Sequence, residues 1–296
     1  MSLAIGDAAA DSRLRGIALM VAANILFTGL DTIAKLLGGS IDPMQLAWFR
    51  YAVNLVIVLV LMRAWIRPEL FDMRRPGLQV LRGLALLGST VFNFAALRHL
   101  QLAEVAAINF AGPMFITALA GPLLGEAIGW RRWGAVGVGF LGMLVVIRPG
   151  LGVMHWEVLF SVAAVICYAF YVILTRYLGR RATATGLLIN GAVVGTVALL
   201  PALPPVWQTP TEPLVWAGLV ALGALGALGH LLLIRAHMYA PATLLAPFTY
   251  LQIIWMTIAG LVVFGDRPDV WTFVGASIII ASGLYILHRE RLRGHA

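Results

Sequence analysis

The sequence predicts an all-α membrane protein of ten transmembrane helices, arranged as two inverted five-helix repeats. Three observations carry that prediction. The 296-residue chain is 61% hydrophobic and only 11% charged, with a mean hydropathy of +0.92, so it lacks the charged coat of a water-soluble domain. Ten apolar stretches of about membrane-crossing length, roughly 20 residues each, fill nearly all of it. The second five stretches echo the first five. Five is odd, so a five-helix unit enters on one face and leaves on the other. A second copy must then insert upside down, as in many secondary transporters.

Each stretch is expected to be a helix, because backbone facing lipid must satisfy its hydrogen bonds internally. Span one, 16–37, follows a small, polar N-terminal stretch and has full span length, so it is expected to remain as a helix and not to be cleaved as a signal peptide. It carries Asn24, Thr28, Asp31 and Lys35, whose spacings of 4, 3 and 4 place them on one helical face. Span two, 44–64, contains Arg50. At about 1.5 Å per residue, Asp31 and Arg50 both lie roughly 9 Å below the same membrane boundary. An isolated charge at that depth costs on the order of a few kcal/mol. Two readings follow. Either Arg50 anchors a substrate carboxylate or gates the outer end, or Asp31 and Arg50 form an ion pair that ties spans one and two, with Lys35 as a second partner.

Span three, 77–98, supplies Asn93, a candidate for fixing the polar end of a substrate. Span four, 102–124, is interrupted by Gly112-Pro113. Proline has no N–H, so the carbonyl of Asn109 loses its helical donor. That predicts a hinge at Gly112 and Pro113, where the Asn109 carbonyl and amide either receive an ammonium group or accommodate a kink. Span five, 133–148, carries Gly134, Gly137 and Gly142, and span ten, 270–288, carries Gly275 and Gly283, which predicts close backbone packing between them.

Span six, 156–178, bears Tyr168 and Tyr171. It also holds Cys167, the single cysteine of the chain, so no intrachain disulfide forms and a metal cluster is not expected. Span seven is 185–203. Span eight, 214–236, places His230 after Gly223, Gly226 and Gly229, as either a proton carrier or a neutral packed histidine. Span nine, 242–264, holds a second hinge candidate, Pro247, which frees the carbonyl of Thr243. It also holds Tyr250, Gln252 and Trp255. These aromatic groups either wall a site for a flat apolar side chain or serve as packing residues and interface anchors.

The basic residues set the orientation. Arg13, Arg15, Arg63, Arg67, Arg74, Arg75, Arg82, Arg131, Arg132, Arg176, Arg180, Arg181, Arg235, Arg289, Arg291 and Arg293 fall on one face, sixteen of the 21 in the chain. Lys35, Arg98, Arg148 and Arg267 fall on the other. The excess marks the cytoplasmic side and predicts both termini in the cytoplasm, with the cell's inner membrane as the expected location. The net charge of +8 therefore reports membrane orientation and not nucleic-acid binding. Every basic residue but Lys35 is arginine.

The repeat is readable residue by residue. Ala22-Ala23-Asn24-Ile25 matches Ala163-Ala164-Val165-Ile166 at an offset of 141, which also pairs Phe27 with Tyr168, Lys35 with Arg176, Leu37 with Leu178 and Gly38 with Gly179. Gly125-Glu126 matches Gly265-Asp266 at 140, and Gly134 and Gly142 match Gly275 and Gly283 at 141. Two five-helix repeats, each closing with a Gly-acid pair before a Gly-rich helix, resemble the EamA-type branch of the drug/metabolite transporter superfamily, most of all its YddG-type exporters of aromatic and other amino acids. The resemblance covers repeats at 13–148 and 156–288. It implies a cavity lined by spans one to four and six to nine, with five and ten packed beside it.

The expected function is a secondary transporter that exports small amphipathic metabolites, amino acids first, by alternating access. Its site is expected to draw on Asn24, Thr28, Asp31, Arg50, Asn93, Asn109, Tyr168, Tyr171, His230, Tyr250, Gln252 and Trp255. Sugar-phosphate, nucleotide-sugar, lipid-linked or drug-like cargo is the alternative, against which stands the presence of one well-placed cation, Arg50. A channel or an intramembrane enzyme is disfavoured. The chain has no His-Glu-x-x-His run and no Gly-x-x-x-x-Gly-Lys-Ser/Thr loop, and no nucleophile and base in register. The expected partners are a small-molecule substrate and membrane lipid, with no cofactor, no metal and no nucleic acid. A monomer is compatible with the sequence, which leaves the oligomeric state open.

Overall fold

A computed structural model describes residues 2–61, 63, 66, 75–124, 129–148, 156–179 and 184–294. Twelve α-helices and no strand occur among them. In chain order they are α1 (Ser2–Gly38), α2 (Pro43–Leu61), α3 (Pro76–Leu97), α4 (Leu102–Asn109), α5 (Gly112–Leu124), α6 (Trp130–Ile147), α7 (Val158–Gly179), α8 (Ala184–Leu199), α9 (Pro213–Tyr239), α10 (Ala242–Thr249), α11 (Gln252–Ala259) and α12 (Val270–Gly294). Nine stretches of the described residues are long and apolar enough to cross a membrane, and Gly186–Ala202 is a shorter apolar helix. Together they fit the ten spans read from the sequence. Span four is α4 plus α5. Span nine is α10 plus α11, prolonged by a π-helical turn over Gly260–Phe264.

Local chemistry sets several ends. Pro76 and Pro213 open α3 and α9, where a missing N–H removes no intrahelical bond. Glu104 reaches back to accept from the Gln101 N–H at 3.0 Å, satisfying a donor at the start of α4. Span four breaks at Phe110-Ala111, immediately before Gly112-Pro113, as the missing proline N–H dictates. Span nine breaks at Tyr250-Leu251, three residues beyond Pro247 and not at it. The two breaks correspond all the same. Leu102–Asn109 and Ala242–Thr249 are both eight residues long, and their bounds, like the starts of α5 and α11, differ by 140.

Neighbours in space are mostly not neighbours in sequence. α1 lies along α9, α3 along α7, and α6 along α12, while α2 packs on α8 and α9, α3 on α8, and α4 on α11. The largest apolar cluster takes in Leu30, Leu46, Phe94, Leu102, Ile108, Leu222 and Met256, which come from six of these helices. α6 and α12 meet through their glycines: a Cβ on Gly142 would stand 3.0 Å from the Gly275 carbonyl oxygen. The Ser282 hydroxyl donates to the Ala135 carbonyl across the same seam at 2.6 Å. Gly134 and Gly137, expected in that contact, are exposed and have nothing within 4 Å, so they take no part in it.

The connections gather at two ends. At one, Lys35 Nζ donates to Asp266 Oδ2 at 2.9 Å and to the Leu100 carbonyl at 2.8 Å, and Arg148 pairs with Asp269 at 2.7 Å. Backbone N–H groups of Trp271 and Val270, with Arg148, hold the Asp269 carboxyl below the usual carboxylate range. At the other end, Ser12 donates to the Tyr239 carbonyl at 3.0 Å and Arg75 to the Tyr177 hydroxyl. Gly125, Glu126, Arg67, Arg74, Arg180 and Arg181 lie outside the described residues.

Candidate substrate site

The polar face of α1 is where the site begins. Asn24, Thr28 and Asp31 are all buried, as their common spacing requires once α1 is enclosed. Asn24 Nδ2 donates to the Phe248 carbonyl at 2.7 Å, which lies at the C-terminal end of α10 beside the break in span nine. The Thr28 hydroxyl has no partner. Asp31 accepts from Asn93 Nδ2 at 3.1 Å, and Asn93 Oδ1 in turn accepts from Asn109 Nδ2 at 3.1 Å. An amide relay therefore runs from the carboxylate on α1, through α3, to the last residue of α4 at the break in span four.

Arg50 enters from α2. It donates to the Thr90 hydroxyl, which also bonds the Tyr51 hydroxyl at 2.9 Å. Its guanidinium stands 5.4 Å from the Tyr51 ring centre and 5.9 Å from that of Phe94. The expected Asp31–Arg50 ion pair does not form: among the described residues no carboxylate lies within 4.0 Å of Arg50. Asp31 finds its donor in Asn93, and Arg50 is turned toward Thr90 and two ring faces. Lys35 is not the second partner either, since it is engaged by Asp266, Leu100 and the Phe264 ring, 4.8 Å away.

On α7, Tyr168 and Tyr171 lie side by side with ring centres 5.9 Å apart. Tyr168 is 44% exposed, and a Cβ on Gly112, at the break in span four, would stand 3.8 Å from its ring. His230 packs its ring against Phe27 at 5.1 Å, within electrostatic range of both Arg50 and Arg82. From span nine, the Trp255 indole N–H is buried without a partner, and Gln252 opens α11 directly after the break. Tyr250 turns away: its ring meets Phe110 at 5.0 Å and its hydroxyl abuts Gly283 of α12. Pro247 is exposed on the outside of the bundle.

Three polar groups beside these were not singled out in the sequence. Arg82, assigned there to the cytoplasmic face, is 3% exposed and donates to Thr175 Oγ1 at 2.7 Å, the Leu187 carbonyl at 2.8 Å and the Tyr171 hydroxyl at 3.2 Å. Its position seven residues into α3 was the available signal, because that is about 9 Å of helix rise from Pro76. Thr90 orients Arg50, and Asn54 lies one turn beyond Arg50 on the same face of α2.

The profile of the EamA-like transporter family matches twice, over residues 14–148 and 155–287. An S-adenosylmethionine uptake transporter of Rickettsia bellii is 31% identical over 262 residues, 88% of this chain and 89% of that one. A riboflavin transporter of Vibrio cholerae is 26% identical over 281 residues, 94% of each chain. A pseudopaline exporter of Pseudomonas aeruginosa is 23% identical over 272 residues, 90% of this chain and 94% of that one. A protein of known crystal structure superposes with a TM-score of 0.59 over 96% of this chain and 99% of its own, at 18% identity, a likeness of fold.

Proposed function

Because the chain belongs to the EamA-like transporter family, a family of transporters and not of enzymes, we propose that it carries small amphipathic metabolites of the amino-acid type across the cell's inner membrane by alternating access. The observation that carries this reading is Arg50, a cation at membrane depth with no carboxylate within 4.0 Å among the described residues. Charges in such places pair or bind, and a substrate carboxylate fits a guanidinium in both charge and shape. Asp31, on the neighbouring α1, offers the opposite charge for an ammonium or other cationic group. Tyr168, Tyr171 and Trp255 offer ring faces for a flat apolar part. S-Adenosylmethionine, the cargo in the name of the Rickettsia bellii relative, combines an amino-acid head, a cationic centre and a flat base, so it heads the candidates, with aromatic amino acids beside it.

Two halves related by a twofold axis in the membrane plane suit this mechanism, and the helix pairing supports them. Exchanging each span with the one five places later turns the α1–α9 contact into the α7–α3 contact and α2–α9 into α8–α3. It turns α1–α10 into α7–α4 and returns α2–α8 and α6–α12 to themselves. The matched breaks in spans four and nine support the same relation, with both termini in the cytoplasm as the arginine asymmetry requires. Alternating access runs either way as gradients dictate, so export and uptake are two directions of one cycle. Phosphate-bearing cargo is less well supported, because the second cation, Arg82, is already engaged by Thr175, Leu187 and Tyr171.

The test is exchange in proteoliposomes loaded with S-adenosylmethionine, aromatic amino acids or riboflavin. Saturable exchange of one carboxylate-bearing amphiphile is expected. Transport of riboflavin alone would remove the amino-acid reading.

A further inference from the structure

Two basic side chains tie the first repeat to the second, one toward each end of the candidate site. Away from the chain termini it is Lys35, one turn beyond Asp31 on the polar face of α1 and about 5 Å of helix rise from its end. Lys35 Nζ donates to Asp266 Oδ2 at 2.9 Å and to the Leu100 carbonyl at 2.8 Å, and stands 4.8 Å from the Phe264 ring centre. Phe264 and Asp266 close span nine, and Leu100 lies in the link between α3 and α4. One ammonium therefore draws three chain segments together beside the face that holds Asn24, Thr28 and Asp31. The Lys35 and Asp266 side chains are 14% and 18% exposed. Pairs open to water contribute little net stability, which suits a contact that breaks on every cycle.

Toward the termini it is Arg82, about 9 Å of rise into α3 from Pro76. The acceptors it reaches all belong to the second repeat: the Tyr171 and Thr175 hydroxyls of α7 and the Leu187 carbonyl of α8. Its guanidinium also stands 4.7 Å from the ring centre of Tyr171, the neighbour of Tyr168. One turn nearer Pro76, Gln79 Oε1 accepts from Asn190 Nδ2 at 2.6 Å, a second tie between α3 and α8. We propose that Lys35 and Arg82 are the two bolts of the transport cycle, each holding one end of the site shut, a proposal that rests on the alternating-access reading above. With the termini in the cytoplasm, Lys35 closes the outside and Arg82 the inside. Both are drawn in this structure, which is then the closed intermediate of the cycle. Release of Lys35 parts α1 from the end of span nine and opens the outside. Release of Arg82 parts α3 from α7 and α8 and opens the inside.

The bolts are tested by labelling a single cysteine, Thr28→Cys, in the full chain carrying Cys167→Ser. Thr28 is 5% exposed, so its labelling reports an opened end. A charged, impermeant thiol reagent is applied to right-side-out and to inside-out membrane vesicles. Lys35→Gln is expected to raise the labelling rate from outside at least about fivefold, and not to raise the rate from inside. Asp266→Asn should act in the same direction, and the double mutant should add nothing to Lys35→Gln. Arg82→Gln should raise the rate from inside and not from outside. If Arg82→Gln does not fold, Thr175→Val and Tyr171→Phe, each of which removes one acceptor, should raise the inside rate in its place.

A rise from both sides, from neither or from the inside alone in Lys35→Gln would overturn the proposal, because a merely structural tie has no sidedness. So would an inside rate that no substitution at Arg82, Thr175 or Tyr171 raises. Exchange by the wild type is scored separately in liposomes. If labelling is sided as expected and no amino-acid-type compound exchanges, the substrate reading fails and the bolts stand. If such a compound exchanges and labelling is not sided, the bolts fail and the substrate reading stands.

Discussion

Arg50 and Asp31 show how far residue-level reading of a membrane protein reaches. Depth and helical face follow from counting, because span ends and a 3.6-residue period are enough to place a side chain along and around its helix. Partners do not follow, because they depend on which helix lies next door. Asp31 bonds Asn93 of α3 and Arg50 bonds Thr90 of the same helix, two contacts that no spacing in the sequence announces. The consequence is testable. Asp31→Asn breaks no ion pair, so it should leave the yield of folded protein near that of the wild type while weakening transport of substrates with a cationic group. A charge-swapped Asp31→Arg, Arg50→Asp double mutant should recover nothing. Recovery of folded protein in it would restore the ion-pair reading. Arg50→Lys keeps the charge but loses the planar fork, and should weaken binding of carboxylated substrates about tenfold, measured by ligand-induced thermal shift. At the membrane edge, the depressed Asp269 carboxyl contributes its pairing with Arg148 at neutral pH. That contribution disappears only as the pH falls through its lowered folded-state value, so moderate acidification should leave this contact intact.

Among the elements, the broken spans are the informative ones. Pro113 announces the break in span four, because a missing N–H is written in the sequence. The break in span nine was not legible at its true place. It sits at Tyr250-Leu251, where the Phe248 carbonyl is held by Asn24 of a distant helix, and Pro247 only weakens the turn before it. Pro113→Ala restores a backbone donor to Asn109 and should fuse α4 with α5. Expression should hold, while exchange slows because one conformation is favoured. Unchanged exchange kinetics at matched protein density would remove this hinge from the mechanism. In the α6–α12 seam, Gly142→Leu should destabilise by about 1–3 kcal/mol through overpacking, whereas Gly137→Leu, on the open face of α6, should be near neutral. Equal effects, read as unfolding temperatures, would mean that the seam does not lie where Gly142 meets Gly275.

For the whole molecule, hydropathy and the five-helix echo were enough to predict ten helices, because a bilayer admits few alternatives. What they left undetermined was the pairing of α1 with α9 and of α3 with α7, which brings together residues far apart in the chain, such as Arg82 and Tyr171, 89 positions apart, and so builds the site. Orientation is tested in a Cys167→Ser background with single cysteines at Arg75 and Thr211. An impermeant reagent outside intact cells should label Thr211→Cys and spare Arg75→Cys, and labelling of both would overturn the topology. The central claim, that this is an alternating-access carrier for carboxylated amphiphiles, is tested most directly by counterflow of labelled S-adenosylmethionine and L-tryptophan into liposomes preloaded with the same unlabelled compound. The account predicts saturable entry of at least one of them, accelerated by the internal load and abolished in Arg50→Gln. Entry that rises linearly with concentration, indifferent to the internal load and to Arg50, would contradict it.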